Sequence, residues 1–133
     1  MIIYYSLSGH TKAVATQISE KTGDRLYEIE LDKPYKNNPL MMVRFTKEKM
    51  TGVIPMVKKI DMIDDIIYLG YPIWGKDMSL AMQGFLKAND LSGKTIKPFI
   101  TSDTSELEIS LSTLKKLAPH ASIDANFKPE NIE

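Results

Sequence analysis

The chain contains no cysteine, which removes disulfides, thiolate metal sites, iron–sulfur clusters and thiol nucleophiles together. Its two histidines, His10 and His120, lie far apart with no paired carboxylate motif around either, so a two-histidine metal site is not expected. There is no excess of one charge: seventeen Lys plus Arg face seventeen Asp plus Glu. A dedicated nucleic-acid binder needs a basic surplus to displace counterions from phosphates. The short clusters here, Lys47 with Lys49, Lys58 with Lys59 and Lys115 with Lys116, are mixed with acids and read as solvated helix faces. The longest apolar run, Ile66 to Trp74, is too short to cross a bilayer. The opening Met1-Ile2-Ile3-Tyr4-Tyr5 lacks the basic start and apolar length of a secretory signal, so a cytoplasmic location is expected. No acid, base or nucleophile arrangement emerges from spacing, and no catalytic residue is named.

What is present fits one globular domain over residues 1–133. A hydrophobic fraction of 43% beside 26% charge supplies enough apolar surface to offset chain entropy, and the length is that of a single core. Ile2 to Ser6 reads as a buried strand ending in a turn. Ala13, Val14 and Ile18 then recur at helical spacing from His10 to Lys21, with Gly23 placed as a left-handed C-terminal cap. Leu26 to Leu31 is expected as a half-exposed strand, with Leu, Ile and Leu on one face and Tyr, Glu and Glu on the other. An irregular connection over Asp32–Pro39 precedes a helix from about Leu40 to Met50. Met56 to Asp64 is ambiguous, and Asp65 to Tyr71 is the strongest strand signal, ending at Gly70-Tyr71-Pro72. A helix over Met78–Ala88, a strand over Thr95–Ile100, a helix over Leu107–Leu117 and a strand over Ala121–Phe127 complete the series. Strict strand–helix alternation implies an α/β fold, a five-stranded parallel sheet with helices on both faces. Ligands of such sheets bind beyond the carboxyl ends of the strands, in the loops after strands one, three and four. The eight methionines read by default as core filling.

Each of those loops carries a functional and a structural reading. Ser6-Leu7-Ser8-Gly9-His10-Thr11, between a strand and a helix N-terminus, offers amides and hydroxyls to an anion; the alternative is that Ser8 merely caps the helix. The spaced glycines of dinucleotide sites and the Gly-Lys-Ser/Thr ending of phosphate loops are both missing, which weakens NAD and ATP readings. Pro72-Ile73-Trp74-Gly75 places the single tryptophan where it could cover a flat ring, or else seal the core rim. Thr101-Ser102-Asp103 brings hydroxyls and a carboxylate to a polar ring edge, or caps the next helix.

Taken in register, Tyr5-Ser6-Leu7-Ser8-Gly9-His10-Thr11, Leu69-Gly70-Tyr71-Pro72-Ile73-Trp74-Gly75 and Asp90–Lys94 running through Lys97–Ser102 resemble the flavodoxin family, in its short bacterial flavodoxin-like branch. The resemblance covers most of Met1 to about Leu117. It implies a flavodoxin-like three-layer sandwich of strand order 2-1-3-4-5 and non-covalently bound FMN. Ser6, Leu7, Ser8, Gly9, His10 and Thr11 would then hold the phosphate, Pro72, Ile73, Trp74 and Gly75 would border the isoalloxazine, and Thr101, Ser102 and Asp103 would contact its polar edge. It also implies a backbone carbonyl in the second loop that turns toward the ring, a motion Gly75 would permit. A phosphate held by dipoles and hydroxyls without an arginine keeps positive charge away from the ring, so a low reduction potential is expected.

The sequence departs from the family in three places. Asp103-Thr104-Ser105-Glu106 contains no glycine, His10 stands where asparagine is common, and only Pro129–Glu133 follow the last strand, so the final helix is missing. A parallel sheet needs both faces covered, so the open face is expected to bury against a second copy, as a homodimer, or against a partner chain. The leading expectation is an electron-transfer flavoprotein serving redox partner proteins or a small-molecule acceptor. The alternatives are an FMN-dependent NAD(P)H:quinone-type oxidoreductase, or a flavodoxin-fold binding module that has lost the flavin.

Overall fold

The computed structural model describes residues 1–101 and 107–132. In chain order it runs β1 (Ile2–Tyr4), α1 (His10–Thr22), β2 (Leu26–Glu28), α2 (Leu40–Thr51), β3 (Ile66–Trp74), β4 (Asp77–Met78), α3 (Leu80–Ala88), β5 (Thr95–Thr101), α4 (Glu108–Leu117) and β6 (Ser122–Ile123), then a 3-10 turn at Pro129–Asn131. Five strands pair in parallel in the order β2-β1-β3-β5-β6, while β4 folds back antiparallel onto the end of β3. Without that short return strand, the order is the expected 2-1-3-4-5.

The central strands bury both faces, which is why they read as apolar runs rather than as alternation. Ile3, Tyr5, Ile67, Leu69, Tyr71 and Ile96 point into one core with Met82 and Phe85 of α3 and Leu114 of α4. Ile2, Tyr4 and Phe99 point into the other with Ala15 and Ile18 of α1. Gly70 pairs with Phe99 of β5, and a Cβ there would lie 2.2 Å from Phe99 Cζ, so only glycine leaves room for that ring over β3. Helix α1 forms where expected, but its buried face is displaced from the expected one: of Ala13, Val14 and Ile18 only Ile18 is fully buried, Val14 is half-buried and Ala13 is exposed. Thr11, Ala15 and Ile18 are buried at successive turns, and Gly23, at φ 77°, donates its N–H to Ser19 O at 2.8 Å.

Four further expectations change. The second strand stops at Glu28, and the buried parity is Tyr27, Ile29 and Leu31, with Leu26 37% exposed, because pleat alternation assigns faces by position and not by hydropathy. The third strand does not end at Pro72. It continues to Trp74 because Gly75 and Lys76 both take positive φ (57° and 65°), the backbone of a two-residue hairpin turn that pairs Trp74 with Asp77 and Ile73 with Met78. Met78 is thereby taken from α3, which starts at Leu80 behind Ser79, whose Oγ accepts from Met82 N–H. The last strand has two residues, because the chain turns at Asp124, whose Oδ1 accepts from Asn126 N–H at 3.2 Å.

That turn also corrects the expectation of an open sheet face. The tail crosses the side of the sheet that α1 occupies, laying Phe127 edge-on against Tyr68 with ring centroids 5.3 Å apart and packing Ile132 into the same cluster. The chain thus partly covers its own face, leaving a hollow of about 440 Å³ bordered by Phe99, Ile100, Phe127 and Pro129.

Candidate functional site

The loop after β1 prepares a helix N-terminus without closing it. Gly9 is the N-cap, held at φ 98°, and its N–H reaches Ser6 Oγ at 3.1 Å. The reading of Ser8 as cap does not hold: no side chain caps α1, and Ser8 Oγ pairs with His10 Nδ1 at 3.2 Å. The helical ladder opens with Ala13 N–H to Gly9 O at 3.0 Å, so the amides of His10, Thr11 and Lys12 lie ahead of it. No acidic residue stands in the first turn to offset the partial positive charge of those amides. The groove on the far side of this loop is different. Tyr5, Ser6 and Leu7 border it with Glu28, Glu30 and Lys58, and the Lys58 ammonium pairs with Glu30 Oε2 at 3.0 Å, so the groove carries charge of both signs. The amides ahead of the helical ladder, with no acid in the first turn, make the Ser8–Lys12 side the better one for an anion. Ser8, Gly9 and His10 are exposed on that side, while Leu7 packs against the core.

Thr11 takes a different part. It is 2% exposed, and its Oγ1 lies 2.6 Å from Thr101 Oγ1 at the end of β5. This bond ties the first loop to the third. Ser102 and Asp103, the other residues expected to meet the ring edge, fall outside the described residues.

The second loop is the β3–β4 hairpin. Pro72, Ile73 and Trp74 are half-buried in β3, and Gly75 is exposed at the turn. The indole meets three rings edge to face: Tyr5 at 5.7 Å, Tyr35 at 5.1 Å and Phe45 at 5.5 Å between centroids. The reading of Trp74 as a seal on the core rim is met, and the ring remains half exposed. Tyr35 is itself fixed, with its hydroxyl donating to Glu48 Oε1 at 2.7 Å and the Arg44 guanidinium 4.0 Å above its ring. Burial pushes the Tyr5 hydroxyl up to about 12, and burial together with the Glu48 hydrogen bond pushes Tyr35 up further. Both phenols stay protonated across the neutral range and serve as wall, not as acid or base.

Sequence reasoning missed four members of this site: Tyr5 as a ring partner, Tyr35, Phe45 and Lys49. The last three lie in the segment between β2 and the end of α2, where no strand-to-helix loop signal points. Lys49 matters because its Nζ donates to Gly75 O at 2.9 Å. A cation thus reaches the second loop, which the expectation of a ring remote from positive charge did not count.

Together the parts can hold an elongated ligand with an anion at one end and a flat ring at the other. The uncapped amides and serine hydroxyls suit a phosphate, the half-open indole suits an aromatic face, and FMN has both groups. Among the described residues no group of three potential metal ligands exists, and no helix is long and apolar enough to cross a membrane.

Comparison with known proteins bears on this arrangement. The flavodoxin family model matches residues 1–129. No curated protein sequence matches the chain. Among solved structures, a candidate flavoprotein from Bacteroides eggerthii DSM 20697 is 26% identical, with a TM-score of 0.81 over 98% of this chain and 91% of that one. Another from Bacteroides uniformis ATCC 8492 is 26% identical, with a TM-score of 0.83 over 93% and 85%. A flavoprotein from Lactobacillus acidophilus NCFM, solved in complex with FMN, is 22% identical, with a TM-score of 0.72 over 92% and 87%, a likeness of fold.

Proposed function

This chain belongs to the flavodoxin family, and on that premise we propose that it binds FMN without a covalent bond and passes electrons between redox partners. The observation that carries the reading is the α1 N-terminus, which no side chain caps and no first-turn acid neutralises, beside a strand, β3, that ends in a half-buried tryptophan.

In this reading the amides of His10, Thr11 and Lys12 and the hydroxyls of Ser6 and Ser8 hold the phosphate. Gly9 is required because its φ of 98° is strained for any residue with a Cβ. Trp74 excludes water from one face of the ring, backed by Tyr5, Tyr35 and Phe45 so that it cannot swing away. The Thr11–Thr101 bond fixes the distance between the phosphate loop and the third loop. FMN held by these residues would supply the chemistry of one- and two-electron transfer. The protein's own residues contribute position, dielectric and charge, and Tyr5 and Tyr35 stay protonated as part of the wall.

The test is a titration of purified protein with FMN, followed by mixing the reduced complex with a ferric haem protein. Saturable one-to-one binding that quenches tryptophan emission, and then oxidation of the complex with matching haem reduction, is the expected result. No binding would remove the cofactor reading. Binding with no transfer to haem, but rapid bleaching by NAD(P)H and turnover of a quinone, would favour the reductase.

A further inference from the structure

The hairpin that carries Trp74 is anchored at its base by groups other than those that anchor its tip. At the base, Ser79 N–H donates to Pro72 O at 3.1 Å and Thr113 Oγ1 donates to Asp77 Oδ2 at 2.9 Å, tying β3 and β4 to the start of α3 and to α4. At the tip, Gly75 and Lys76 turn with positive φ and rest on α2, a different helix. A Cβ on Gly75 would lie 2.9 Å from Lys49 Nζ and 3.1 Å from Phe45 Cζ, so the turn is seated against these two side chains with no room to spare. Phe45 supplies packing to Trp74, and Lys49 supplies the polar bond, Nζ to Gly75 O at 2.9 Å.

Lys49 also differs from Arg44 on the same helix. Arg44 pairs with Glu48 within α2, whereas none of the described ion pairs includes Lys49. Its ammonium lies 5.8 Å from the Phe45 ring centroid and is aimed at a main-chain carbonyl. An ammonium reaching a turn carbonyl from a neighbouring helix sets where that turn sits.

We propose that Lys49 is a positioning residue of the flavin site: its bond to the Gly75 carbonyl sets the pitch of the Trp74 hairpin, and with it the fit of that wall to the isoalloxazine. The proposal rests on the FMN reading above and deepens it. Lys49 touches the wall from behind, so its loss relaxes the hairpin tip without emptying the core: Phe45 and the base anchors remain. Because the bond is exposed, its loss is worth a modest factor, a roughly two- to fivefold weaker affinity for FMN.

The experiment compares wild type, Lys49→Met and Lys49→Arg by FMN titration of the full chain, with thermal midpoints measured on each. Lys49→Met keeps the length and apolar stem of the side chain and removes the donor; Lys49→Arg restores a cationic donor. Weaker FMN binding in Lys49→Met at an unchanged thermal midpoint, recovered in Lys49→Arg, is the expected result. Equal affinity in Lys49→Met and wild type overturns the proposal, as does a loss of affinity that Lys49→Arg fails to recover. If wild type itself does not bind FMN, the function assigned above falls, an outcome distinct from a wild type that binds and a Lys49→Met that binds equally well.

Discussion

Replacing Thr11 with Val isolates the bond that joins the first and third loops. The two side chains have nearly the same shape, so in a site 2% exposed the change opens no cavity and removes only the 2.6 Å contact with Thr101 Oγ1. A typical net value for such a bond is about 0.5–1.5 kcal/mol. Thr101 is half-buried and can regain water, so its hydroxyl is not orphaned and the lower half of that range applies. For a domain of this size, about 1 kcal/mol lowers the thermal midpoint by roughly 3–5 °C. The same loss raises the dissociation constant for FMN up to about fivefold, because the two loops then align at the cost of binding energy. Thr101→Val removes the same bond from the other side. The double variant should therefore cost little more than either single one, a coupling of about 1 kcal/mol in a double-mutant cycle read by urea unfolding. Strict additivity of the two substitutions would refute the reasoning, because it would mean that the hydroxyls act on separate neighbours.

Gly70→Ala forces a methyl to within 2.2 Å of the Phe99 ring, and overpacking of this kind costs about 1–3 kcal/mol; an unchanged urea midpoint would show that Phe99 moves aside freely. Alkaline pH should destabilise the fold. Burial pushes the Tyr5 and Tyr71 hydroxyls up to about 12 in the folded chain, from an ordinary value of 10.0. Their raised folded values mean that stability is full below pH 10 and falls between about pH 10 and 12, as the unfolded chain ionises first, by at most about 2–3 kcal/mol each. Tyr71→Phe should flatten part of that slope in urea midpoints measured against pH; it also removes the 2.8 Å bond to Ser110, whose own proton goes to Leu107 O. Stability that stays level across that window would contradict the buried, neutral state of both phenols.

The fold was legible where burial and periodicity agree. Asp65 to Tyr71 reads as a strand from its unbroken apolar run, which the structure covers on both faces, and α1 reads as a helix from its apolar spacing and the Gly23 stop, although the residues it buries are Thr11, Ala15 and Ile18. The hairpin was not legible. Trp74-Gly75-Lys76-Asp77 looks like an ordinary loop until Lys76, a residue with a Cβ, is seen to take positive φ beside Gly75. The tail was misread for the opposite reason: Phe127 looks like the end of a strand, yet the Asp124 turn sends it back to Tyr68. In the candidate site, the loop proposed to hold the phosphate is local in sequence, so its residues stand together in one motif. The aromatic wall behind Trp74 is assembled from Tyr5, Tyr35 and Phe45, whose spacing has no period, and only the packing of α2 against the hairpin brings them together.

The central claim is that the front of α1 grips the phosphate of the cofactor, and the most direct measurement compares FMN with riboflavin, which has the same ring and no phosphate. Two or three charge-assisted bonds from amides and hydroxyls amount to several kcal/mol, so riboflavin should bind about a hundredfold or more weaker than FMN to the same preparation. Equal affinity for the two would contradict the account, because the ring alone would then hold the ligand and the open helix end would have no part in it.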